Sequence, residues 1–138
     1  MVERDYIMRL LQDFFAMIAK LVRLKVEEPD TTKVQERFNE MYRQFFRQQA
    51  EHFYCMEKED ILNELEREEL SETGQNAMIQ MLSELLYQDG LIKKDVTEKC
   101  MLLEKAFYLM QYLAFYSKTY SWDMEQKMSD IKKILTEY

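Results

Sequence analysis

His52 and Cys55 stand three residues apart, a spacing that puts two side chains on one face of a helix. An imidazole beside a thiol is the start of a thiolate–imidazole pair or of half a zinc site. Little else in the chain extends it. His52 is the sole histidine and Cys100 the only other cysteine, so neither a histidine-rich metal site nor the paired Glu-x-x-His arrangement of a di-iron bundle can be assembled. Gln49 occupies the position where His52 would need its glutamate. A Ser-His-Asp system would have to recruit His52, and no nucleophile-elbow sequence surrounds any serine. The two glycines, Gly74 and Gly90, lie apart, which leaves no phosphate-cradling loop and no dinucleotide fingerprint. The 26 acidic residues offer carboxylate pairs in too many combinations for any one to stand out. The residues thus predict no catalytic, cofactor-binding or metal-binding site and a chain that is not an enzyme, with His52 half-buried beside a core cysteine.

The elements that carry these residues are bounded by composition. A chain of 138 residues supports one domain with a real core and is short for two, so a single domain over 1–138 is expected. With 47% hydrophobic and 33% charged residues the chain is globular rather than disordered. Only 2 glycines and 1 proline are present, which favours long helices over tight turns. Cys55 and Cys100 fall on apolar helical patterns and are read as reduced core residues of a cytoplasmic protein. A net charge of -7 opposes a general affinity for nucleic acid or anionic lipid, because both require a basic face. Glu3, Asp5 and Asp13 near the N-terminus do not fit a secretory leader, and export is not expected.

Helical periodicity runs through the whole chain. Ile7, Leu10, Leu11, Phe14, Ile18, Leu21 and Val22 share one face of a first amphipathic helix. Its FFAMIAKLVRLK segment also has the form of a membrane-surface helix, an alternative to a core helix. After a break at Glu27–Asp30, a helix from Lys33 to about Tyr54 is predicted, with Thr32 and Gln35 as a capping box. Its aromatics alternate with Arg37, Arg43 and Arg47, yet they have the spacing of a buried face rather than of an RNA-stacking surface. The acidic stretch from Glu57 to Glu72 suggests a short helix through Ile61, Leu62 and Leu65, mobile or partner-facing. A helix capped by Thr73 follows and ends at Gly90, read as a left-handed cap.

The segment from Asp95 to Tyr116, capped by Asp95 with Glu98, is the most apolar and is expected to be the central, most enclosed helix. Val96, Cys100, Leu103, Phe107, Met110 and Ala114 form one row, and Leu102, Ala106, Leu109, Leu113 and Tyr116 form the next. Thr97, Glu104, Gln111 and Lys118 leave a narrow polar strip. A third row of Met101, Tyr108 and Phe115 is the candidate for excess exposed apolar surface facing a partner. Glu104, Lys105 and Gln111 interrupt the run too soon for a bilayer span. Ser121 then caps a last helix carrying Met124, Met128, Ile131, Leu135 and Tyr138 in register. The 11 methionines lie mostly on or beside the apolar stripes, where they act as adaptable core fillers or as a flexible binding lining.

The opening RDYIMRLLQDFFAMIAKL (Arg4 to Leu21) and the closing SWDMEQKMSDIKKIL (Ser121 to Leu135) resemble the two ends of a family of small, uncharacterised bacterial helical proteins. The acidic segment before Glu69 and EKAFYLMQYL (Glu104 to Leu113) are similar in placement. That family carries no assigned activity, so the resemblance transfers no site residues. EKAFYLMQYL is also similar to the second helix of a tetratricopeptide repeat (TPR), with Ala106 as its small residue, although no repeat of about 34 residues recurs. The expected fold is all-α: antiparallel helix hairpins in a compact bundle or a short TPR-like right-handed superhelix, with about five long helices and one short. The expected function is protein–protein interaction or scaffolding, with self-association included. The alternatives are a carrier of an apolar small molecule or lipid and a peripheral membrane protein docking through the first helix.

Overall fold

The computed structural model describes residues 2–67, 70–117 and 121–138. Glu68 and Glu69 of the acidic stretch and Lys118 of the polar strip lie outside the described residues. Every regular element among the described residues is helical: α1 (Val2–Glu27), α2 (Thr31–Phe46), α3 (Ala50–Cys55), α4 (Lys58–Glu66), α5 (Glu72–Ile92), α6 (Val96–Tyr112) and α7 (Trp122–Glu137). A π-helical turn, Leu113–Ser117, prolongs α6. The fold is all-α. The chain forms two compact units, Met1–Met56 and Glu57–Tyr138.

In the first unit, α1 buries Ile7, Phe14, Ile18 and Leu21, the face its periodicity predicts. Phe14 meets Phe45 of α2 edge to face, ring centroids 5.1 Å apart, and Tyr42 stacks on Phe53 of α3 at 6.0 Å. The predicted helix from Lys33 to Tyr54 is divided. Arg47 takes a left-handed conformation, φ 57° and ψ 31°, and its N–H bonds to the Arg43 carbonyl, closing α2. The bend turns α3 so that Ala50 and Phe53 also reach the core. Asp30, rather than Thr32, caps α2 by accepting from the Thr32 N–H at 3.0 Å.

In the second unit, the most enclosed helix is α5, which corrects the expectation for α6. Every residue of α5 from Ala77 to Gly90 is buried except Gln80. It is packed by α4, α6 and the π turn. Ser71, not Thr73, caps it through the Gly74 N–H at 3.2 Å. Asp95 and Ser121 cap α6 and α7 as predicted, accepting from Glu98 and Met124 N–H groups. Gly90 is not a left-handed cap, since no glycine has positive φ, and α5 runs on to Ile92. What Gly90 provides is space: a Cβ there would stand 3.0 Å from Leu103 Cδ2 and 3.3 Å from Leu102 Cβ. The missing side chain lets α6 approach α5 closely.

Gly90→Val should therefore overpack the α5–α6 contact and lower unfolding stability by about 1–3 kcal/mol, read as a drop in the urea midpoint with unchanged slope. A midpoint equal to wild type would show that the close approach is not needed.

Candidate functional site

His52 is half-buried and lies edge-on to Phe53 at 5.0 Å. Cys55 is exposed, not a core residue, because it ends α3 where the chain turns away. Cys100 is partly buried on α6. Among the described residues no group of three or more His, Cys, Asp or Glu side chains is positioned to hold a metal ion.

The row Met101, Tyr108 and Phe115 is divided by its surroundings. Met101 is 41% exposed. Tyr108 is half-buried beneath Lys58 of α4, whose Nζ stands 5.5 Å from the ring centroid, so a cation of the same chain already covers it. Phe115 is 83% exposed. It lies on the π turn, where the wider helix takes about one more residue per turn and carries later positions off the α-helical rows. Tyr116, placed by periodicity in a buried row, is rotated outward by the same turn and is 73% exposed. The Ser117 hydroxyl donates to the Leu113 carbonyl at 2.6 Å, a bond that holds the widened turn.

The π turn thus gathers three aromatic rings at the end of α6. Tyr112 and Tyr116 are 5.2 Å apart at 32°, and Phe115 and Tyr116 are 6.1 Å apart at 46°. The tilted rings form a continuous apolar surface. The side-chain amide of Gln75 on α5 donates to the carbonyls of Glu66 at 3.0 Å and Leu70 at 3.1 Å. Burial raises the pKa of Tyr112, and the charge of Glu66, a hydrogen bond to Glu66, and the charge of Glu72 act in the same direction. The aromatic surface therefore has an acidic border. Trp122, first residue of α7, is a further exposed aromatic at 76%.

A second cluster lies inside the unit. Glu84, in the buried part of α5, accepts from Gln88 Nε2 at 2.9 Å and from Lys127 Nζ of α7. Lys127 also donates to Asp123 at 2.8 Å and lies 5.8 Å from the centre of the Tyr87 ring. One turn beyond Gln88, Lys93 Nζ approaches Asp89 Oδ1 at 3.6 Å. The pKa of Lys127 is raised: burial works to lower it, but the charge of Glu84 and hydrogen bonds to Asp123 and Glu84 outweigh that effect. The pKa of Tyr87 is raised by burial and then by Asp130, with Lys127 opposing. This network joins α7 to α5. Glu84 and Asp89 each face an ammonium group, Lys127 and Lys93 respectively.

The periodicity could signal neither cluster fully. Phe115 was legible as an exposed apolar position, but Tyr112 and Tyr116 depend on a local change of helical pitch. The Glu84 network was hidden because its polar residues read as the outer face of an amphipathic helix.

Removing Lys127 leaves Glu84 buried without its counter-charge. Lys127→Met should cost about 2 kcal/mol, less than a fully enclosed pair because Lys127 retains some water, and Glu84→Leu added to it should recover part of the loss; no recovery in the double variant would refute the pairing.

The alkaline limb of stability follows from the two raised groups. Their contributions are complete below the ordinary values, 10.0 for Tyr87 and 10.5 for Lys127, and are lost as pH rises through the higher folded-state values. Stability should fall with pH from about 10 upward, and Tyr87→Phe should make that slope shallower; equal slopes would remove Tyr87 from the account.

No protein-family model, curated protein or solved structure matches the chain.

Proposed function

We propose that the chain is a non-enzymatic, cytoplasmic protein–protein interaction or scaffold module, and that the surface of Tyr112, Phe115 and Tyr116 is its contact site. The observation that carries this reading is the exposure of Phe115 and Tyr116 together, in ring contact, on a π turn. Large aromatic side chains on a surface lose water favourably only when something covers them, and they are the residues most often found to anchor interfaces. π turns recur at functional sites for a related reason, since they give up regular helix geometry to redirect side chains. The hairpin arrangement is part of the same proposal. It is supported in the second unit by the short α5–α6 connection and the close packing at Gly90, with a TPR-like superhelix as the alternative arrangement.

The membrane alternative draws less support. It would use the apolar face of α1, and Ile7, Phe14, Ile18 and Leu21 of that face are already buried. No helix among the described residues is long and apolar enough to cross a membrane.

The test is native mass spectrometry of the protein purified gently from its own cells, wild type against Phe115→Ser/Tyr116→Ser. The wild type should carry a partner subunit that the double variant loses, with thermal stability changed by less than about 0.5 kcal/mol because both side chains are exposed. A partner retained by the variant, or a bare wild-type monomer, would overturn the assignment.

A further inference from the structure

Resting on that reading, we infer that the partner is a basic protein segment, with arginine side chains stacked on Tyr112, Phe115 and Tyr116 and paired with Glu66 and Glu72. The argument begins with the rings. Two tilted pairs 5.2 and 6.1 Å apart, with Phe115 and Tyr116 exposed and Tyr112 half-buried, present π faces, and a π face is electrostatically negative. An apolar partner would use the area of this surface but leave its electrostatics unanswered. A guanidinium uses both, since it is planar, weakly hydrated and stacks on aromatic faces while its N–H groups reach a carboxylate.

The border supplies those carboxylates. Glu66 ends α4 and hydrogen-bonds Tyr112, and Glu72 opens α5. Gln75 of α5 donates to the backbone carbonyl of Glu66 itself, which joins the end of α4 to the start of α5, where Glu72 stands. Arg67 follows Glu66 in the chain and is exposed; burial, and then the charges of Glu66 and Glu72, raise the pKa of the Tyr112 phenol. The whole protein, at -7, adds a long-range field of the same sign.

Charge also decides against a second copy as the occupant. A two-fold contact is self-complementary, so both copies would bring the same acidic border to it. Like charges brought together in an interface are disfavoured. Nucleic acid and anionic lipid are disfavoured for the same reason. A basic segment of another protein is the occupant that meets rings and acids together.

The experiment uses the full-length protein and two defined peptides of equal length, one alternating arginine and glycine, the other with glutamate in place of each arginine. Binding is followed by calorimetry and by the tyrosine ring signals in NMR spectra. The arginine peptide should bind saturably, shift the rings of Tyr112 and Tyr116, and weaken with added salt. Phe115→Ser/Tyr116→Ser and, separately, Glu66→Gln/Glu72→Gln should each reduce affinity about tenfold or more, and the glutamate peptide should not bind. Loss in the charge variant but not in the aromatic variant would mean diffuse attraction to an acidic protein, which overturns the inference. Equal binding of the glutamate peptide overturns the basic partner while leaving an aromatic interaction site. A dimer in sedimentation equilibrium that Phe115→Ser abolishes, with no peptide binding, replaces the basic segment by a second copy and likewise leaves the interaction reading standing. Absence of both peptide binding and self-association overturns the inference, and the fate of the underlying reading is then read separately from the native-mass comparison.

Discussion

The second unit depends on burying a helix that carries charge. Along α5 the run from Met81 to Gly90 has no exposed residue, yet it includes Ser83, Glu84, Gln88 and Asp89. A carboxylate moved from water to a protein interior loses several kcal/mol of hydration, and only a well-placed counter-charge and hydrogen bonds offset that loss. Glu84 obtains both from Lys127 and Gln88. The requirement propagates outward. Lys127 has to come from α7, so the register of α7 on the unit is set by an ion pair as much as by the burial of Met124 and Ile131. Asp123, one turn earlier, holds the same ammonium from the solvent side. Lys132 over the Phe107 ring at 5.6 Å adds a cation–aromatic contact between α7 and α6. A hydrophobic stripe alone would let a short amphipathic helix slide by a turn; a buried ion pair has one position that satisfies it.

This same burial explains what periodicity could and could not show. Where a helix has one wet face and one dry face, the pattern of types is sufficient, and the buried positions of α1 and α2 were readable from spacing. Caps with an unambiguous side chain, Asp95 and Ser121, were equally plain. The expected caps Thr32 and Thr73 were displaced by Asp30 and Ser71, neighbours of similar capping strength, a difference of two residues that local propensity does not resolve. The division at Arg47 had no glycine or proline to mark it, because the left-handed residue there is an arginine. Gly90 was visible as punctuation, but its purpose lies across the helix pair, in Leu102 and Leu103. The identity of the enclosed helix was missed for a definite reason: Glu84, Gln88 and Asp89 look like a solvent face until Lys127 and Lys93, 43 and 4 residues distant from their partners, are brought to them.

The candidate surface was half legible. Phe115 stood out because α6 carries more apolar positions than its contacts can cover. Met101 and Tyr108 shared its heptad row, but one is partly covered and the other lies under Lys58. The rings that actually meet Phe115's neighbourhood, Tyr112 and Tyr116, are four apart, and the pitch change at Leu113 is what turns Tyr116 to the outside. A π turn has no sequence signature comparable to a proline kink, since it depends on tertiary packing around a single widened loop of backbone. Ser117 bonding back to Leu113 is a local contributor visible only once the turn exists.

The acidic character of the protein and its exposed aromatic surface are mutually consistent in one further way. Exposed rings in contact are a liability for self-aggregation, and the attraction between such patches acts only at contact distance. Repulsion between copies carrying -7 acts over roughly a Debye length, about 8 Å at physiological salt, and so meets an approaching copy before the rings can. An oppositely charged segment experiences the same field as attraction. On the proposed reading, net charge would sort encounters by sign first and the aromatic surface would then decide which of the admitted partners stays, so that Glu66 and Glu72 would act on association and Phe115 and Tyr116 on dissociation.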